Sequence, residues 1–259
     1  MIARLLKRGG AAATLQEDPA GFAEIGGGER DTVRLRGVTK VLGAGRKQTL
    51  VFDRADAEFR RGVSIGVLGG ASSGKTTLVN LLNGNQSPTE GRIDCGMSVS
   101  WPLASRTIFT KRFSIRQNVR FVSAIYNAWP PDMLDAVTDL GKIKRQDLDT
   151  ALDLLPDELN TRATISLCLA LSFDCYVVDE RVALGNKPFR DLVQEKLLEM
   201  RGDRSLIVVT RTAQTIREMC DECYVIIDRK LQKFGSKGEA ILAFRGATGG
   251  QDLSDPLGE

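Results

Sequence analysis

The feature that most restricts what this chain can become is the run Gly69-Gly70-Ala71-Ser72-Ser73-Gly74-Lys75-Thr76. It satisfies G-x-x-x-x-G-K-[ST] at every fixed position. Its flanks have different periodicities. Val63–Leu68 is a short apolar run of strand character, and Lys75–Leu82 has helical spacing. Glycines at these places let backbone N–H groups turn inward on a β-phosphate, while the helix N-terminus adds its dipole. Lys75 offers a point charge to the β- and γ-phosphates, Thr76 offers a hydroxyl to Mg²⁺, and Thr77 follows in the same turn. A Gly-rich turn ending in Lys-Thr by accident would not need both a strand and a helix around it. The run predicts an α/β core that binds a nucleoside triphosphate through Gly69–Thr77.

A phosphate loop needs an acid at the end of a neighbouring buried strand, and Cys175-Tyr176-Val177-Val178-Asp179-Glu180 supplies two. Asp179 is the candidate for the Mg²⁺ shell, and Glu180 for orienting and deprotonating the attacking water. Adjacent Asp-Glu points away from GTPases and small-molecule kinases. Asn186-Lys187-Pro188-Phe189 begins like the guanine-reading N-K-x-D but carries Phe where the Asp must stand. The chain contains no histidine, which excludes His-based triads, His metal sites and His general bases. Its 36 Lys+Arg and 33 Asp+Glu leave a formal charge of +3, so there is no electrostatic case for nucleic acid as a partner.

Two tails bracket the patterned region. Residues 1–31 read as a flexible N-terminal tail and 246–259 as a flexible C-terminal one, leaving 32–245 as a single domain. Met1–Arg8 has basic residues but no apolar stretch long enough for a secretory signal, and it is short for a surface anchor. No apolar run approaches the ~18 residues of a membrane span. Thr32–Leu35 and Leu50–Phe59 alternate like half-buried antiparallel strands, and Asn83–Gly91 reads as a loop. From Ile115 to about Leu171 the pattern is helical, broken at Pro130-Pro131 and Pro156, giving a helical insert over about 105–170. Cys175–Val178, Leu206–Val209 and Tyr224–Ile227 look like buried strands separated by helical stretches, which is the alternation of a parallel sheet. Five cysteines suit a reducing cytoplasm. Cys220 and Cys223 form C-x-x-C, but no histidine or matching cysteine pair completes a zinc site, so core packing is the better reading.

The chain resembles the ATP-binding subunits of ABC transporters, in the branch that exports capsular polysaccharide and O-antigen chains. The resemblance spans roughly Thr32–Gly238. It rests on Ser100-Trp101-Pro102-Leu103, on Arg116-Gln117-Asn118-Val119-Arg120-Phe121-Val122 and on Tyr176-Val177-Val178-Asp179-Glu180, with Thr215-Ile216-Arg217 and Cys220-Asp221 further on. It implies a RecA-like P-loop core with an antiparallel β portion and a helical insert. It also implies ATP with Mg²⁺, a second ATP-binding subunit closing over each nucleotide, and a separate membrane permease at the inner face of a bacterial membrane.

Four family positions depart from the pattern. The signature segment, Ser-Gly-Gly or Ser-Ser-Gly in the family, reads Leu155-Pro156-Asp157-Glu158-Leu159 here. It has no hydroxyl, and Glu158 places a negative charge where a γ-phosphate would approach. The family's linking glutamine falls at Thr110, its switch histidine at Arg211, and its adenine-stacking aromatic near Val41 and Leu42. Arg211 is open to two readings, a surface arginine or a transition-state charge. Lys111, Arg112, Arg116 and Arg120 form a basic cluster, read as a solvated face. Two functions stay open: an ATP-hydrolysing exporter subunit, or a nucleotide-binding partner that hardly hydrolyses. A small-molecule kinase explains less, because it leaves the transporter-like segments without a role.

Overall fold

A computed structural model describes residues 31–103, 105, 108–179 and 186–249. The predicted amino-terminal strands form as β1 (Thr32–Leu42) and β2 (Thr49–Arg60), paired antiparallel. The phosphate-loop strand is β3 (Ser64–Leu68) and the helix after it is α1 (Lys75–Leu82). A strand the sequence reading missed, β4 (Glu90–Cys95), pairs with the other edge of β1 and gives the order β2-β1-β4.

A second sheet is built from β3, β5 (Cys175–Asp179), β6 (Ser205–Thr210), β7 (Glu222–Ile227) and β8 (Lys230–Lys233), in the order β5-β6-β3-β7-β8. All its pairs are parallel except β7 with β8. Its central strands are apolar on both faces because both faces are covered. Cys175, Val177, Ile207, Val209, Ile65 and Val67 face one core with α1 and the β1–β2 pair. Tyr176, Val178, Leu206, Val208 and Leu68 face the other, with the helices. This period-2 division of adjacent residues between two cores is what a strand in a three-layer protein requires. Tyr224 joins the sheets: its hydroxyl accepts from Glu58 N at 3.1 Å, and its ring lies 5.8 Å from Phe59.

The insert holds α2 (Ile115–Ile125), α3 (Pro130–Gly141) and α4 (Asp157–Ala170). The prolines read as breaks mark helix starts. Pro130 and Pro131 occupy the first turn of α3, where a missing N–H costs nothing, and Pro156 is the residue before α4. After β5 come α5 (Lys187–Glu199), α6 (Ala213–Met219) and α7 (Lys237–Ala247). Gly66 allows α6 to close on the sheet, since a Cβ there would lie 2.3 Å from Ile216 Cδ1. The tail boundaries shift slightly. Asp31 donates its N–H to Gly96 O at 3.3 Å, and α7 runs through Gly246 and Ala247.

Candidate nucleotide site

β3 delivers the chain into the loop at Leu68, and Gly69 N donates at once to Thr210 O at 3.1 Å on the end of β6. The loop then needs two backbone shapes that side chains resist. Ser72 has φ 57° and Gly74 has φ 102°. A Cβ at Gly74 would stand 2.6 Å from Val51 Cγ1, and one at Gly69 would stand 2.4 Å from Ser73 Oγ. The glycines are therefore there for space as well as for φ. Lys75 bends back over the loop, donating to Gly69 O at 2.6 Å and Gly70 O at 2.7 Å. Ser73 Oγ is buried without a hydrogen-bond partner, an orphan that an anion seated in the loop would satisfy. Thr76 is exposed on the first turn of α1, while Thr77 is buried behind it.

Asp179 ends β5 and is 8% exposed, opposite Val209 in the register with β6. The structure thus sets the loop, Asp179 and the Thr210–Arg211 turn at one edge of a parallel sheet, the carboxyl ends of β3, β5 and β6. Ligands of open α/β sheets bind at this edge. Glu180 lies outside the described residues. β5 is an edge strand, and Ser100–Leu103 covers it. Ser100 N donates to Cys175 O at 2.8 Å, Leu103 N to Val177 O at 3.0 Å, and Ser100 Oγ accepts from Val177 N at 3.0 Å. Trp101 then packs edge-on against Phe173, which packs edge-on against Tyr126 and Tyr176. The Ser-Trp-Pro-Leu segment thereby fixes the strand that carries Asp179 to the insert.

Beside the loop, Thr49, Leu50, Val51, Ser72, Ser73, Ile226, Asp228 and Arg229 line a groove of about 500 Å³. Sequence reasoning missed Asp228 and Arg229. They are the two positive-φ residues of the β7–β8 hairpin, and Asp-Arg lacks the Asn-Gly or Asp-Gly that signals such a turn. Val41 and Leu42 are half-buried at the end of β1.

The departing positions sit as follows. Thr110 is exposed, with its backbone pinned by Asn118, whose Oδ1 accepts from Thr110 N at 2.8 Å. Arg211 is exposed immediately after β6. Pro156 offers α4 no side-chain cap. Glu158 does carry its negative charge at this place, but not alone. Arg162 donates to it at 2.6 Å, and the Arg162 guanidinium stacks 5.4 Å from the Phe189 ring centre. The basic cluster is partly paired, because Arg116 forms a bidentate ion pair with Asp149 at 2.7 and 3.0 Å. Cys220 and Cys223 are buried, and burial pushes both thiols up to about 12, so they stay protonated at neutral pH.

Residues 52–172 match the family model described as ABC transporter. The chain is 33% identical over 183 residues to the capsule polysaccharide export ATP-binding protein CtrD of Neisseria meningitidis, covering 71% of this chain and 84% of that protein. It is 29% identical to the ATP-binding protein BexA of Haemophilus influenzae, covering 80% of this chain and 95% of that protein. The fold matches the ATP-binding cassette MJ0796, solved as a dimer in a post-hydrolysis state with ADP and Pi. The TM-score is 0.67 at 14% identity, over 78% of this chain and 97% of that one.

Proposed function

This chain belongs to the ABC transporter family, and from that premise we propose that it powers a separate transmembrane permease exporting capsular polysaccharide or a related glycan. It is an ATP-binding subunit and an ATPase of the ABC type. The glycan assignment is supported by the similarity to the capsule export proteins of Neisseria meningitidis and Haemophilus influenzae. Export through a permease gives the chain a peripheral position on the inner face of the plasma membrane. No helix among the described residues is long and apolar enough to cross a membrane.

One observation carries the nucleotide reading: the loop wraps a buried, unpartnered Ser73 Oγ with Lys75 drawn over it. In this reading Lys75 and the loop amides from Gly69 through Thr76 hold the β- and γ-phosphates, with Thr77 behind them. Mg²⁺ suits the Thr76 hydroxyl and the Asp179 carboxylate, which are oxygen donors, and when bound it offsets charge on the β- and γ-oxygens. Glu180 orients the attacking water and takes its proton.

The test is steady-state ATP hydrolysis by the full chain, alone and with its permease. Lys75→Ala is expected to cut turnover by about a hundredfold or more, because it removes a charge aimed at the transferring group. Turnover equal to wild type in that variant overturns the assignment. A second reading, a nucleotide-binding partner that hardly hydrolyses, is favoured by Pro156 and Glu158 at the start of α4. It wins if the wild-type chain binds ATP but turns over no faster than Glu180→Gln.

A further inference from the structure

We propose that the β7–β8 turn selects the base, and that its Asp228 and Arg229 suit guanine, so that the chain takes GTP at least as well as ATP. The proposal rests on the loop being a nucleotide site, and it concerns the part of the ligand that the loop does not hold. Loop amides and Lys75 face phosphates, which are the same in every nucleoside triphosphate. The groove of about 500 Å³ beside the loop is where a base would lie, because Ser72 and Ser73 belong to both. Val51 and Ile226 give it apolar surface, and none of its described lining residues is aromatic. A stacked ring would accept any base, since every base has a π-face. Here the hydrogen-bonding edge of the base is left to decide.

Asp228 and Arg229 line that groove, and both are exposed. Ile227 pairs with Lys230, so the two residues form the whole turn between the strands. The turn is tied to β2, because Arg229 O accepts from Asp53 N at 3.0 Å. Its φ angles are 48° at Asp228 and 61° at Arg229. Glycine would hold the second at lower cost, yet a long cation stands there. Neither side chain has a hydrogen-bond or ion-pair partner among the described residues, so folding alone does not account for the pair. Their chemistry matches guanine. Guanine presents N1–H and N2–H₂ donors, which one carboxylate accepts together, beside O6, to which a guanidinium donates. Adenine reverses both signs, with a lone pair at N1 and an amino group where guanine has O6.

Calorimetry with the Mg complexes of the β,γ-imido analogues of GTP and ATP tests this on the wild-type full chain, Asp228→Asn and Arg229→Gly. Both substitutions suit a positive φ, so the turn is kept. Wild type is expected to bind the GTP analogue about fivefold more tightly, the modest ratio that exposed charged hydrogen bonds provide. Asp228→Asn should bring the ratio to one or below, because an amide pairs with adenine through both donor and acceptor. A residue that merely held the turn would change both affinities alike. Arg229→Gly should lower the ratio by weakening the GTP analogue. A wild-type ratio at or below one overturns the proposal, and so does a variant that keeps the wild-type ratio; both leave the loop assignment standing. Failure of the wild-type chain to bind either analogue overturns the loop assignment and this inference with it.

Discussion

Asp174 joins segments that are distant in the chain. Burial pushes its carboxyl up, but the backbone N–H and hydroxyl of Ser98, with the charges of Arg61 and Arg204, outweigh burial and hold it below the usual carboxylate range. Ser98 N and Oγ donate at 3.0 and 2.7 Å, and Arg61 and Arg204 approach at 2.9 and 3.3 Å. A carboxylate lowered in the folded state stabilises the fold above its unfolded value of about 3.9, and that contribution fades as pH falls through the lower folded value. Asp174→Asn is therefore expected to destabilise the chain at pH 7 and to do so less at pH 3, below the unfolded value of about 3.9. Urea unfolding at both pH values checks this, and an unchanged gap contradicts it. The residue was invisible in the sequence because its principal partner lies 76 residues away. Lys75 and Gly74 were legible for the opposite reason, since the loop they serve is a local structure whose spacing is fixed by the backbone.

The start of α2 shows the same contrast among elements. Ser114 and Gln117 form a reciprocal cap, with Ser114 N donating to Gln117 Oε1 at 2.9 Å. Asn118, fully buried one residue further, accepts from Thr110 N and donates to the carbonyls of Thr110, Phe113 and Ser114. One amide thus pins the whole entry loop. Asn118→Ala leaves Thr110 N without its acceptor, while the three carbonyls keep their backbone donors, and is expected to cost about 2 kcal/mol, with faster hydrogen exchange at Thr110 N–H. Denaturant melts and exchange together check it, and exchange unchanged at Thr110 would show that the loop is held elsewhere. Helices and central strands were legible from periodicity because their apolar faces are continuous. β4 and β8 were not, because they are edge strands whose residues are mostly exposed and carry little pattern. The prolines were misread as interruptions because sequence alone does not say on which side of a proline the helix lies.

At the scale of the whole molecule, we propose that the start of α4 governs how two copies can meet. The resemblance implies that each ATP would be closed over by the partner's signature segment, with a hydroxyl and open amides facing the γ-phosphate. Here Pro156 has no side-chain donor, and its carbonyl already accepts from Leu159 N and Asn160 N at 3.0 and 3.2 Å. Asp157 and Glu158 occupy the first turn, where they offset the positive end of the helix dipole that would otherwise attract an anion. Arg162 neutralises much of the Glu158 charge, so simple repulsion is a smaller obstacle than the missing donors. Removing the charge alone should therefore achieve little. With Mg-ATP, Glu180→Gln is expected to stay monomeric in sedimentation, although blocking hydrolysis ordinarily preserves an ATP-closed pair. Adding Glu158→Gln should leave it monomeric, whereas adding Pro156→Ser with Glu158→Gly restores a hydroxyl and a flexible amide and should yield the dimer. A stable dimer of Glu180→Gln with Pro156 and Glu158 intact would show that this segment does not oppose pairing.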